Sequence, residues 1–250
     1  MNRWWQRERT REMEIKRSRT IIIIPARGGS KRLPRKNLLP LDGKPLIHHA
    51  VDVARGAGPF GSILISTDDQ EIANYVSNIE DVSIDKRDPR LAGDKIKVVD
   101  VILELCKRPY VIENFDIVGM LLPTCPLRSV EDVRSGFEMM DEKLDAVISF
   151  TKYEFSPLCA VSLNNDNEMK VVYEPSPLIT GKTRSQDQAP TYRPNGAFFF
   201  SWIQSLTQLK SFYSGKVKGY AMPRSRSIDI DKREDFDLAE WFIQNTKQNS

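Results

Sequence analysis

Along this chain, short runs of β-branched residues alternate with longer stretches in which apolar positions recur every three to four residues. The run Ile21–Ile24, continuing to Pro25 and followed by two glycines, predicts a strand buried on both faces and central in a parallel sheet. Residues 45–57 repeat apolar positions at Leu46, Ile47, Ala50, Val51 and Ala54, between Pro45 and Gly56/Gly58, and predict a helix. Ser62 to Thr67 is the next strand; Asp68 and Asp69 then stand where a helix cap belongs, before a helix over Glu71–Ser77. The alternation continues with a helix near 96–107, a strand at Ile117–Leu122, a helix near 129–140 and a strand at Ala146–Phe150. Repeated β-α units of this size predict an α/β fold with a doubly wound, Rossmann-like, mostly parallel sheet.

Beyond Phe150 the pattern changes. Val161–Leu163 and Lys170–Tyr173 flank the polar run Asn164–Asn167, which predicts a hairpin, and 174–194 is rich in Pro, Gln, Ser and Thr with little periodicity. We read 151–194 as an insertion within one domain over 20–245. Residues 195–201 return to strand, 202–210 to helix, and Ser227–Ile230 predicts a last strand leading into a C-terminal helix from about Asp231.

The chain's 40% apolar and 28% charged residues are those of a globular protein, and no apolar run approaches the roughly 18 residues of a membrane helix. The net charge of +3 is concentrated at one end, since residues 1–19 hold seven Lys or Arg against three Glu. This basic extension, with Trp4 and Trp5, reads as a frayed charged helix or start-site extension, with contact to an anionic surface as the alternative, while the nearly neutral remainder argues against nucleic acid as a partner. It has no apolar core of a secretory signal. Three cysteines without C-x-x-C spacing predict a reducing, cytoplasmic setting and no structural zinc.

Two motifs carry most of the chemistry. PARGGSKRLPRKN, Pro25 to Asn37, follows the first strand with two glycines and the cations Arg27, Lys31, Arg32, Arg35 and Lys36, a socket of triphosphate size. It fits neither G-x-x-x-x-G-K-[ST] nor G-x-G-x-x-G, and a solvated basic loop is the alternative reading. SIDIDKREDF, Ser227 to Phe236, would as a strand set Asp229 and Asp231 on one side, about 6–7 Å apart, a pair suited to Mg²⁺ shared with phosphates. A capping box from Asp231 to Glu234 would explain one of these carboxylates but not Asp229. In the insertion and the strand after it, Arg184, Gln186, Tyr192, Arg193 and Asn195 are side chains able to read a polar, acidic small molecule, with turn chemistry as the alternative. His48 and His49 read as surface and packing residues, and Cys125, with no histidine near in sequence, is not expected to be a nucleophile.

Taken in order, PARGGSKRLPRKN, STD at Ser66–Asp68, R-x-x-x-L-A-x-D from Arg87 to Asp94, PTCPLR at Pro123–Arg128, YRPNGA at Tyr192–Ala197 and SIDID at Ser227–Asp231 resemble the acylneuraminate cytidylyltransferases, or CMP-sialic acid synthetases, over roughly 20–245. The resemblance implies a nucleotidyltransferase fold of type A and transfer of CMP from CTP to a free nine-carbon acidic sugar. It also implies Mg²⁺, pyrophosphate release and a homodimer formed through the insertion. By position, it implies that Arg27, Gly28, Ser30, Lys36 and Asn37, with Arg87 and Asp94, hold the nucleotide. Asp229 and Asp231 would be the metal pair, and Tyr192 with Asn195-Gly196 part of the sugar wall. Arg27, Lys36, Asp229 and Asp231 are then the expected catalytic set, acting by positioning phosphates and neutralising charge around an in-line attack.

The chain departs from the family pattern at three places. Leu122 stands where a Gln contacts the sugar, Cys159 where a Lys follows Pro-Leu, and Lys95, Lys97 and Val98 fill a stretch where a hydroxyl residue is expected. Losing hydrogen-bonding groups shifts substrate choice, so the sequence predicts a nonulosonic acid other than common N-acetylneuraminate. The alternatives are another NTP, a sugar 1-phosphate, or a nucleotide-binding homologue without turnover.

Overall fold

A computed structural model describes residues 12–184 and 188–248, with side chains to 245. Seven strands form the main sheet: β1 (Thr20–Pro25), β4 (Ser62–Thr67), β5 (Ser83–Lys86), β6 (Ile117–Met120), β7 (Ala146–Lys152), β10 (Tyr192–Trp202) and β11 (Val217–Met222). Their order is β11-β7-β10-β6-β1-β4-β5, with β10 antiparallel to both neighbours and every other pairing parallel. Two short ribbons, β2 (Pro40–Leu41) with β3 (Lys44–Pro45) and β8 (Val161–Leu163) with β9 (Met169–Val171), lie outside it. The sheet is therefore mostly parallel, and the hairpin of the insertion is β8-β9.

The helices are α1 (Leu46–Ala57), α2 (Gln70–Val76), α3 (Val98–Cys106), α4 (Pro109–Asn114), α5 (Val130–Glu138), α6 (Pro177–Thr180), α7 (Ile203–Leu209) and α8 (Arg233–Gln248). Alternate residues of β1 face opposite layers: Ile22 and Ile24 join α1 and α5 on one side, Ile21 and Ile23 join α3 and α7 on the other. A third cluster joins Leu33, Leu41 and Leu46 to Ile230, Phe236 and Ala239, tying α8 to the loop after β1. The basic extension is in part packed, for 12–18 is helical, with Met13 against the core and Arg17 2.9 Å from Glu138.

The expected strand at Ser227–Ile230 does not form. The parallel edge beside β7 is taken by β11, which the sequence reading passed over. Residues 227–231 instead cross the carboxyl ends of the central strands, and Ile230 donates its N–H to the Thr124 carbonyl at 2.7 Å. Nor does Glu234 close the cap of α8: Asp235 accepts from the backbone N–H groups of Asp231 and Lys232, both at 2.9 Å.

Candidate active site

From β1 the chain moves outward through β4 to β5, then returns to place β6 on the other side of β1. Such a reversal opens a crevice at the strands' carboxyl ends, where open α/β sheets take ligands. Here it is a cleft of about 350 Å³ bounded by the loop after β1, the loop after β5, the loop after β6 and the 227–231 segment.

Arg27, Ser30, Lys36, Asn37, Arg87, Asp94, Asp229 and Asp231 all line this cleft. Lys36, its side chain mostly buried, donates to the Ile230 carbonyl at 2.6 Å and to Asp231 at 3.0 Å, so it ties the basic loop to the acidic segment. Asn37 is buried and donates to the Arg27 carbonyl at 2.9 Å, fixing the loop's curvature. Gly28 donates its N–H to Asp68 at 3.1 Å. A Cβ on Gly28 would stand 2.4 Å from Asp69, so only glycine permits that approach. Asp69 itself caps α2, accepting from Glu71 and Ile72.

The cationic socket is narrower than the sequence reading had it. Arg35, at φ 58°, turns away to Asp69 and Glu71. Lys31 pairs with Asp94, and Arg32 pairs with Asp231 at 2.8 Å. Arg27, 3.3 Å from Asp94, and Lys36 remain on the cleft wall. Arg87 forms part of the floor, buried and donating to the Ser66 hydroxyl and carbonyl at 3.2 and 2.7 Å.

The two aspartates differ. Asp231 is desolvated in part, but Lys36, with Arg32 behind it, outweighs that and holds its carboxyl below the usual range. Asp229 is exposed to solvent where the cleft meets the hollow beside it, yet it has protein packed around its base. That desolvation, with Asp231 nearby, pushes its carboxyl up against the opposing hydrogen bond from Thr124. Asp229 forms no ion pair among the described residues, and partial desolvation disfavours its charged form.

A second hollow of about 540 Å³ shares Val98, Leu122 and Asp229 with the cleft and continues it toward Lys97, Lys210 and Phe212. Asn195 lines this hollow, but its buried amide is already spent, donating to Ser227 Oγ at 2.8 Å and accepting from the Ala197 N–H at 3.2 Å. Tyr192 lines neither the cleft nor this hollow, but is half exposed in an adjoining recess with Phe150 and Tyr213, and Tyr213 also lines the second hollow. Arg184 is exposed and lines neither hollow; Gln186 lies outside the described residues.

A larger hollow of about 910 Å³ opens at the opposite end of the sheet, beside α3 and α7. Its Lys107 and Asp116 are already paired with Glu104 and Arg19, so size there brings no gathered chemistry. The histidines are occupied locally, His48 Nδ1 2.7 Å from the Tyr75 hydroxyl and His49 Nε2 2.8 Å from the Leu41 carbonyl. Cys125 is buried, which pushes its thiol up to about 12.

Sequence reading missed Thr124, Asp132 and Arg226. Arg226 donates to Asp132 through Nη2 and Nε at 2.7 and 2.8 Å, directly upstream of the acidic segment. Ser129-x-x-Asp132 was a legible capping signature, and the box does form. Nothing in the sequence pointed to Arg226 as its partner.

The chain is similar to several named proteins. It is 33% identical over 220 residues to the N-acylneuraminate cytidylyltransferase of Streptococcus agalactiae serotype V, covering 86% of this chain and 51% of that protein. It thus spans about half the length of that relative. It is 31% identical to the CMP-N,N'-diacetyllegionaminic acid synthase of Legionella pneumophila, covering 90% and 97% of the two chains. The pseudaminic acid cytidylyltransferase of Campylobacter jejuni serotype O:2 is 29% identical, with 88% and 94% covered. In fold it is similar to CMP:2-keto-3-deoxy-manno-octonic acid synthetase complexed with CTP, with a TM-score of 0.66 at 18% identity over 91% of this chain and 99% of that one. A family model described as cytidylyltransferase matches residues 21–247. With that match spanning nearly all of the packed body, the chain belongs to the cytidylyltransferase family.

Proposed function

We propose that this protein transfers CMP from CTP to the anomeric hydroxyl of a sialic-acid-like nonulosonic acid and releases pyrophosphate. The observation that carries the reading is the cleft itself, where Arg27 and Lys36 face Asp229 and Asp231 at the switch point of a cytidylyltransferase sheet. Arg27, Ser30 and Lys36 hold the triphosphate, Arg87 and Asp94 border it, and Gly28 and Asn37 keep the loop in shape. The sugar occupies the second hollow, so that its hydroxyl meets the α-phosphorus near Asp229. Its hydroxyl gives up its proton to solvent as the oxygen forms the new P–O bond, in line with the bond to pyrophosphate, which leaves with the electron pair.

The donor set fits Mg²⁺. Two hard carboxylate oxygens, one lacking a cationic partner and raised by desolvation, suit an ion that completes its shell with phosphates and water. Asp229 and Asp231 would hold it, and the ion would neutralise phosphate charge and acidify the attacking hydroxyl. Among the described residues no third acidic or imidazole ligand joins them, which favours shared coordination by substrate.

A homodimer through the insertion is part of the proposal. Phe155, Leu163 and Ile179 there are 78%, 61% and 66% exposed, a density of bare apolar surface that a second copy would cover. Among the described residues no helix is long and apolar enough to cross a membrane, and three free cysteines suit a reducing cytoplasm.

The test is pyrophosphate release with Mg²⁺, crossing CTP, GTP, UTP and ATP against nonulosonic acids and sugar 1-phosphates. Turnover with CTP and one nonulosonate supports the proposal and names the sugar. Turnover with another NTP or a sugar 1-phosphate overturns the specificity, and CTP binding without turnover overturns the activity. Asp229→Ala should abolish turnover and spare most CTP affinity.

A further inference from the structure

The acidic segment 227–231 has no strand partner, yet it must hold two carboxylates in place. Downstream it is fixed by the Ile230 N–H on the Thr124 carbonyl and by Lys36 on the Ile230 carbonyl. Upstream, Ser227 Oγ accepts from Asn195 and donates to the Pro223 carbonyl at 2.8 Å. The strongest upstream bond is the bidentate one from Arg226 to Asp132.

Asp132 is 1% exposed and serves two ends at once. Its Oδ2 accepts from the Ser129 N–H and hydroxyl, both at 2.8 Å, which starts α5 and so fixes the β6-to-α5 loop carrying Thr124. Arg226 reaches both of its oxygens, and the Tyr220 hydroxyl donates to Oδ1 at 3.3 Å. Capping alone would need only one oxygen. The second is spent on the turn from which the acidic segment departs, and a carboxylate so buried requires that partner.

We propose that Asp132 and Arg226 are positioning residues for the transfer reaction, clamping the 227–231 segment onto the Thr124 loop so that Asp229 is presented to a divalent cation. This rests on the metal role proposed for Asp229. The clamp acts through backbone placement, as outer partners of metal ligands do, and loss of such partners lowers metal affinity by about 10–100-fold.

The experiment measures Mn²⁺ binding by electron paramagnetic resonance, in the presence of CTP, for the wild type and for Arg226→Met, Arg226→Lys, Asp132→Asn and Asp229→Asn, with melting temperatures in parallel. Expected are a roughly 10–100-fold loss of Mn²⁺ affinity in Arg226→Met, a smaller loss in Arg226→Lys, and unchanged metal-free CTP affinity in both. Should Asp132→Asn fail to fold, the two Arg226 variants carry the result. Wild-type Mn²⁺ affinity in Arg226→Met, whatever its melting temperature, makes the pair a structural staple and overturns the proposal. Wild-type affinity in Asp229→Asn removes the metal role of Asp229 and the proposal with it, a pattern distinct from failure of the clamp alone.

Discussion

Replacing Lys36 by Met keeps most of the aliphatic stem and removes the ammonium, which makes it a sharp probe of the cleft. In the wild type, Lys36 Nζ donates to the Ile230 carbonyl at 2.6 Å and to Asp231 at 3.0 Å, and the side chain is only 11% exposed. A hydrogen bond from a charged donor is worth about 1.5–3 kcal/mol. The Asp231 pair, half open to solvent, adds at most about 1 kcal/mol. The expected cost is about 2–3 kcal/mol, or a melting temperature lower by roughly 4–12 °C in a domain of this size. Differential scanning calorimetry reads that term. Turnover, followed as pyrophosphate release, should fall by about 10²–10³, the usual effect of removing a donor aimed at developing charge. Lys36→Arg should recover stability better than turnover, because a guanidinium cannot reproduce a point charge between carbonyl and carboxylate. Turnover within threefold of wild type beside a lowered melting temperature would refute the phosphate role. An unchanged melting temperature would refute the tie between the two loops.

Asp229→Asn should abolish turnover yet raise the melting temperature near neutral pH. Desolvation raises the native carboxyl above its unfolded value, so ionising it costs stability as pH rises through the native value. The gain over wild type should therefore vanish below the ordinary carboxylate range and be complete above the native value, and pH-dependent calorimetry checks it. Gly136→Ala should destabilise despite the better helix former. Its new Cβ would stand 2.2 and 2.4 Å from ring carbons of Phe198, and overpacking outweighs propensity by roughly 1–2 kcal/mol, visible as a lower denaturation midpoint. Ellman's reagent should titrate Cys159 alone in the native protein, because burial pushes both Cys106 and Cys125 up to about 12.

The parts of this fold that were legible in the sequence are those where local pattern and tertiary role agree. The Ile21–Ile24 run could only be a strand covered on both faces, and it lies between β4 and β6 with every residue buried. The loop after it, marked by its glycines and cations, lines the cleft at the strands' carboxyl ends. What was illegible depends on competition between segments. Ile228 and Ile230 alternate with aspartates like a strand, but the edge of β7 was already filled by β11, whose VKGYAM sequence carries a weaker signal. Ile230 instead plugs the cluster with Phe236 and Leu33. Asn195 looked like a substrate reader because amides often are. Only the fold reveals that Ser227 and the Ala197 N–H already claim it. Charge count also overstated the socket, since Arg35 is drawn off by acids whose spatial position no spacing encodes.

Because β10 runs antiparallel, its first residue returns to where β7 ended: Tyr192 pairs with Lys152, and Tyr153 donates to the Thr191 carbonyl at 2.9 Å. The stretch 153–191 is thus an excursion with its two feet side by side, attached to the sheet as a hairpin's turn would be. The entropic penalty for closing such a loop grows only with the logarithm of its length. Lineages sharing this sheet are therefore free to lengthen, shorten or exchange the excursion without renegotiating the core. In this architecture the excursion is a replaceable module, and the cleft at the carboxyl ends of the central strands is the part that cannot move.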